Sequence, residues 1–257
     1  MWDQLRALID NGARIFYFAK PWTWRRWREK YANELKAKFG RKKTDYGDAY
    51  ILSRIHEYKP RLFKEVTPLD VEFKPLLMKE RALADELLRL RQRHLLGIDL
   101  EDEIEDHEER LKNVRGEIVE KAMEKIPEFM EIAKKLGLDN EDVNALSALA
   151  GLLIYLRWPY EVSSFHKAKR LLGLYKPTWK EMRKFEERSG EKYRKRYSGY
   201  ARRCLILLTA AILMKERNAF PPRARNQKEV LRRLLGILKT YDEGGPQGLV
   251  AALQRGH

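Results

Sequence analysis

Asp45 and Asp48, in Lys43-Thr44-Asp45-Tyr46-Gly47-Asp48-Ala49, are the pair of side chains in this sequence best spaced for chemistry. On a helix, residues three apart share a face, so the two carboxylates repel each other unless a cation lies between them. Mg²⁺ or Mn²⁺, which take oxygen ligands, would serve. The same residues also suit an ordinary helix start, with Thr44 as the cap and two acids near the positive end of the dipole. Spacing alone leaves both readings open.

Basic residues form the second chemical signal. Lys20 to Lys43 carries a net charge of +8, Ser163 to Arg203 carries +10, and Asp99 to Glu131 between them carries −8, within a chain of net charge +15. Two cationic regions flanking an acidic one suit a polyanion that touches both, most simply nucleic acid, with a membrane surface as the competing partner. In the first region Trp22, Trp24, Trp27 and Tyr31 interleave with Arg25, Arg26, Arg28 and Lys30. Aromatic and cationic side chains together can stack on bases and hold phosphates. Trp24, Trp27 and Tyr31 also fall at helical spacing, which would make them a core face with the arginines solvated.

These residues need elements to hold them, and the chain is long enough to bury a real core. Its 257 residues are 44% apolar and 35% charged, with a Lys, Arg and Glu bias that fits a heat-adapted (thermophile) source. The single cysteine, Cys204, excludes an intramolecular disulfide and a cysteine-rich zinc site, and within Arg203-Cys204-Leu205-Ile206 it reads as a small buried hydrophobe. No signal peptide is visible and the longest apolar run, Cys204 to Met214, is too short for a bilayer span. The expectation is a cytoplasmic, intracellular protein with no membrane partner.

Leu5 to Ile9 reads as the end of a helix and Arg14 to Phe18 as one buried strand, which requires neighbours for its edges. A helix from Asp45 to about His56 precedes Pro60, Pro68 and Pro75, which mark an extended connector. Beyond Leu76 the pattern is helical. Leu83, Leu87 and Leu90 form one seam, Gly97 breaks it, Asp99 can cap a second helix, and Ile104, His107, Leu111, Val114 and Ile118 continue at three-four spacing. This predicts an antiparallel helical hairpin or coiled coil that dimerises the protein or spaces its halves, with His107 as a packed residue. Val143 to Leu156, Phe165 to Leu172, Ser198 to Met214 and Gln227 to Tyr241 then read as helices joined by short loops, and Gly244-Gly245-Pro246 begins a tail.

Two separated motifs resemble one family. Lys43-Thr44-Asp45 with Asp48-Ala49, followed by Ile51-Leu52-Ser53-Arg54-Ile55, looks like the segment that carries the third and fourth acids of DEDD insertion-sequence transposases, the "IS-one-ten" group. The order Phe165 to Gly173-Leu174, Pro177, Ser189-Gly190, then Ser198-Gly199 and Arg202-Arg203 is similar to the carboxy-terminal domain of the same group. The family also has a long coiled-coil insertion between its motifs.

The resemblance implies a RuvC-like, RNase H-fold catalytic domain whose four acids bind divalent metal, followed by a helical domain that supplies a serine nucleophile. Carried over by residue, Asp45 and Asp48 match the last two acids as catalytic and metal-binding positions, and Ser189 matches the serine. Metal-bound carboxylates would activate a hydroxyl and neutralise a transferring phosphate, and the serine would form a covalent DNA intermediate. Arg25, Arg26, Arg28, Lys42, Lys43, Lys167, Lys169, Arg170, Arg188, Lys192, Arg194, Lys195, Arg196, Arg202 and Arg203 would hold nucleic-acid backbone. The family's first two acids have no match, no Pro-Gly-Ile-Gly hairpin is visible near Leu138 to Leu153, and Gly173 to Pro177 is one residue longer than the family's pattern.

The expected fold is therefore mainly α with a small α/β remnant: an incomplete RuvC-like segment over residues 1–59, a connector and helical hairpin or coiled coil over 60–137, a helical transposase-type DNA-binding domain over 138–241, and a tail over 242–257. The expected partners are DNA, a structured guide RNA and further copies of the chain through the hairpin, in a prokaryotic, nucleoid-associated setting. The leading expectation is a transposase-derived DNA-binding protein, amino-terminally truncated and inactive alone. An active recombinase completed by another chain or an upstream segment, and a helical scaffold with a basic surface, are the alternatives.

Overall fold

In the computed structural model the described residues are 2–19, 23–40, 45–160, 164–189, 197–218 and 222–242. The chain is mainly α-helical and divides into two units, Met1–Glu72 and Phe73–His257. No helix among the described residues is long and apolar enough to cross a membrane.

The first unit contains α1 (Trp2–Asp10), β1 (Phe16–Phe18), α2 (Trp24–Lys30), α3 (Ala32–Phe39), α4 (Asp45–Tyr58), a 3-10 turn over Pro60–Leu62 and β2 (Phe63–Glu65). The two strands pair antiparallel with Phe16 opposite Glu65 and Phe18 opposite Phe63. Residues two apart share a strand face. Phe16 accordingly sits 5.3 Å from the His56 ring, while Phe18 packs 5.5 Å from Phe63 and 6.1 Å from Trp24. The expected buried strand over Arg14 to Phe18 is shorter and more open, with Phe16 37% and Tyr17 40% exposed: Tyr17 is on the opposite face from Phe18, and of the ribbon only Phe18 and Phe63 pack against the core. That core is Tyr31, Ile51 and Ile55, wrapped by Phe18, Trp24, Trp27, Leu35, Leu62 and Phe63.

The extended connector expected from Pro60, Pro68 and Pro75 is mostly helix. α5 runs from Pro68 to His94. Thr67 and Asp70 form a reciprocal capping box, Thr67 N–H donating to Asp70 Oδ2 at 3.0 Å and Asp70 N–H to Thr67 Oγ1 at 3.1 Å. Proline is favourable at the first helical position, where no partner for its missing N–H exists. Pro75 alone lies inside the helix.

The second unit holds the rest of α5 with α6 (Glu101–Lys125), α7 (Phe129–Lys135), α8 (Val143–Leu156), α9 (Phe165–Leu171), α10 (Trp179–Ser189), α11 (Gly199–Arg217) and α12 (Ala224–Asp242). α5 and α6 lie antiparallel: Glu80 early in α5 meets Arg115 late in α6, while Glu86 and Arg91 further along α5 meet His107 and Glu108 nearer the start of α6. Leu83 and Leu87 on one and Leu111, Val114 and Ile118 on the other are buried along the seam. His107 is a packed residue that engages the Glu103 carbonyl at 2.8 Å. α6 starts after Leu100 with no side-chain cap, so Asp99 does not take the capping role expected for it. The turn between the two helices exposes Leu95 and Leu96 at 84% and 81%.

α8 is buried on almost every side, as its run of Ala, Leu and Ile demands, and packs against α6, α7 and α11. Gly151 permits the close approach to α11, since a Cβ there would lie 3.0 Å from Cys204 Sγ. α11 starts at Ser198, whose Oγ accepts from the Ala201 N–H at 3.2 Å as the sequence predicts. Across this core Arg115 donates twice to Glu80 Oε1, at 2.8 and 3.1 Å, and once to Asn144 Oδ1 at 2.8 Å.

Candidate nucleic-acid interface

A cluster of cations without carboxylate partners among the described residues lies on the first unit. Trp24, Trp27 and Tyr31 follow helical spacing and turn toward Ile51 and Ile55, so the core-face reading of this stripe is the one observed. Fixing that face turns Arg26 and Lys30, one helical turn apart, outward together. At the end of α4 the chain reverses through the 3-10 turn, which sends Leu62 inward and leaves Lys59 and Arg61 exposed.

The two segments border one cleft of about 710 Å³, lined by Thr23, Arg26, Trp27, Lys30, Lys59, Arg61 and Leu62. Lys30 Nζ lies 5.5 Å and Lys59 Nζ 5.4 Å from the Trp27 ring centroid. No ion pair joins Arg26, Lys30, Lys59 or Arg61 to a carboxylate among the described residues. Four cations in one cleft, two of them over an aromatic ring, can take an anion together with a flat ring system. Arg26 and Lys30 of these four stand out in the sequence, interleaved with the aromatic residues. Lys59 and Arg61 flank Pro60 in a short Lys-Pro-Arg run, a local signal that gives no hint of a partner helix some thirty residues earlier.

The two candidate metal-binding carboxylates sit at the start of α4. Asp45 is exposed, and Asp48 faces Arg28, Oδ1 to Nη1 3.6 Å, with both side chains less than one-third exposed. A guanidinium therefore lies beside Asp48, one of the two carboxylates expected to draw positive charge from Mg²⁺ or Mn²⁺. Groups of three or more His, Cys, Asp or Glu suited to a metal are absent among the described residues. Among the described residues Asp45 and Asp48 have no third such donor grouped with them, and no chemical step is assigned through a metal.

The other expected contacts divide by their surroundings. Arg25 pairs with Glu29 at 2.9 Å on the surface of α2. Arg202 donates to the Leu172 carbonyl at 3.0 Å and Arg203 pairs with Asp85 at 3.3 Å, so both tie α11 to neighbouring segments. Arg170 lies 4.7 Å from the Tyr175 ring centroid and 3.6 Å from Glu181. Lys167 is exposed on α9, where its N–H is capped by Ser164 at 3.3 Å. Lys169 and, from α12, Arg232 lie over Phe165 at 4.9 and 4.7 Å, which adds Arg232 to this second cationic surface.

Ser189 is the last residue of α10, whose start is fixed by Thr178 and Glu181. The side chains of Arg188 and Ser189, and all of Lys42, Lys43, Lys192, Arg194, Lys195 and Arg196, lie outside the described residues. Compared with family models, with curated proteins and with solved structures, the chain matches none.

Proposed function

We propose that this chain is a nucleic-acid-binding protein derived from a transposase of the DEDD type that its sequence motifs resemble, acting by binding rather than by cleaving. The observation that carries the reading is the cleft of Arg26, Lys30, Lys59 and Arg61 around Trp27, four cations with no carboxylate partner among the described residues. Buried or paired arginines stabilise a fold, whereas clustered unpaired ones raise the local potential and attract a polyanion. The cationic surface of Lys169 and Arg232 supports the same reading on the second unit. The partner is DNA or a structured RNA, a guide RNA included, and the family resemblance gives Ser189 its descent from a nucleophile.

Purified protein is expected to bind DNA or structured RNA with an affinity that falls steeply with salt, as phosphate contacts release counterions. Electrophoretic mobility shifts between low and moderate salt test this. Undetectable or salt-insensitive binding to both nucleic acids rejects it.

The exposed Leu95 and Leu96 at the α5–α6 turn favour self-association as an additional property of the same protein. Light scattering of wild type against Leu95→Glu/Leu96→Glu reads this directly, the variant being monomeric at concentrations where wild type is not.

A further inference from the structure

The shape of the cleft on the first unit narrows the class of nucleic acid it takes. Elements that read a duplex are convex, entering a groove as a helix or ribbon. This site is concave. At about 710 Å³ it falls within the range of roughly 300–1,000 Å³ that encloses a small organic ligand. That is room for one or two nucleotides, whereas a duplex can only lie across its rim.

Its lining has two chemistries. Arg26, Lys30, Lys59 and Arg61 line the space with charge, while Trp27 and Leu62, half-buried against the core of this unit, give it their remaining apolar surface. A duplex backbone offers such a surface only phosphate and sugar, its bases being stacked on each other. An unpaired strand offers both partners: phosphates for the cations and the π-face of a base for the indole. Lys30 and Lys59 lie over the Trp27 ring, Nζ 5.5 and 5.4 Å from its centroid, and Tyr31 stacks on it at 6.4 Å, so a base that stacks on the indole displaces a lysine toward its flanking phosphates. We infer that this cleft binds single-stranded nucleic acid, one or two nucleotides at a time, a specificity that rests on the nucleic-acid reading above and sharpens it.

Fluorescence anisotropy with the full chain and a fluorescein-labelled oligonucleotide of mixed sequence, presented as single-stranded DNA, as single-stranded RNA and as blunt duplex DNA, tests the inference. Single strands are expected to bind at least about tenfold more tightly than duplex at equal salt, since base stacking on an aromatic ring adds to the phosphate term. Lys59→Ala/Arg61→Ala removes two exposed cations without touching the core. It should weaken single-strand binding about tenfold and lower the slope of log affinity against log salt by roughly 1.4, two phosphate contacts at about 0.7 each. Lys112→Ala/Lys134→Ala removes equal charge from exposed positions in the second unit and should leave single-strand affinity within about twofold on the same electrostatic scale. The two single-stranded arms separate DNA from RNA as the source of the strand.

Equal binding of single strand and duplex, or single-strand binding undiminished in Lys59→Ala/Arg61→Ala, overturns the inference and leaves general nucleic-acid binding standing. No binding in any arm overturns both.

Discussion

Arg28 stands opposite Asp48, Nη1 to Oδ1 3.6 Å, at the point where the sequence offers a pair of carboxylates to a metal ion. Asp48 Oδ1 is buried and makes no hydrogen bond among the described residues, so this ion pair is its electrostatic partner. Arg28→Ala should lower stability by about 1 kcal/mol, the usual scale for leaving one polar atom of a half-buried group unmatched. Asp45→Asn, at an exposed position, should stay within about 0.5 kcal/mol of wild type. Urea denaturation of the two variants gives the comparison; an equal effect would mean that Arg28 does not hold Asp48.

Glu181 governs the start of α10. Its carboxylate accepts from the Tyr175 hydroxyl, from the Thr178 N–H at 2.9 Å and from Thr178 Oγ1 at 3.0 Å. The Tyr175 hydrogen bond first, then the two from Thr178, hold its pKa at about 2 instead of 4.5. A carboxylate with a depressed folded-state pKa stabilises above its ordinary value and loses that contribution as pH falls. Fraying of α10 should therefore set in between pH 4.5 and about 2. Glu181→Gln should show the frayed helix already at neutral pH and little further change through that window. Amide hydrogen exchange at Thr178 and Glu181, the two N–H groups of the capping box, follows it residue by residue.

A harder failure is expected at Arg115. The Glu80 side chain is 5% exposed and that of Arg115 12%, and the guanidinium also holds Asn144. Removing one member of such a pair leaves a buried charge without its partner, so Arg115→Leu should cost about 3–5 kcal/mol. Glu80→Leu/Arg115→Leu removes both charges and should cost clearly less than the single change. Equilibrium denaturation of the three proteins decides it, and a double variant worse than the single would assign the loss to packing alone.

Where a stretch carried its own signal, sequence and structure agree. Val143 to Leu156 is a helix with the bounds its apolar run marks, and Ser198 caps α11. Cys204 is 3% exposed, and burial, reinforced by the nearby charge of Glu80, pushes its thiol up to about 12. Disagreement arises where one residue type has two uses. Pro68 reads as a break until Thr67 and Asp70 are seen to form a box around it. Arg28, Arg202 and Arg203 read from sequence as phosphate contacts, and folding also gives each an acid or a carbonyl that the sequence does not display. Lys59 and Arg61 carry no such signal for the converse reason: their partners Arg26 and Lys30 are near only in space.

Gly151 tests how tightly α8 and α11 are joined. A methyl group there would meet Cys204 Sγ at 3.0 Å, with Tyr200 Cε1 and Leu77 Cδ2 in ordinary contact at 3.4 and 3.5 Å. Alanine favours a helix over glycine by about 1 kcal/mol, but overpacking a core costs about 1–3 kcal/mol. Sγ belongs to a buried side chain on a helix packed against α8, so the clash should dominate and Gly151→Ala should be destabilising on balance. Cys204→Ala removes the obstructing atom. In that background the same Gly151→Ala change should become neutral or stabilising, a coupling of about 1 kcal/mol or more between residues in contact. A double-mutant cycle by urea denaturation measures it, and additive effects would show that α11 shifts enough to accept the methyl group without displacing Cys204.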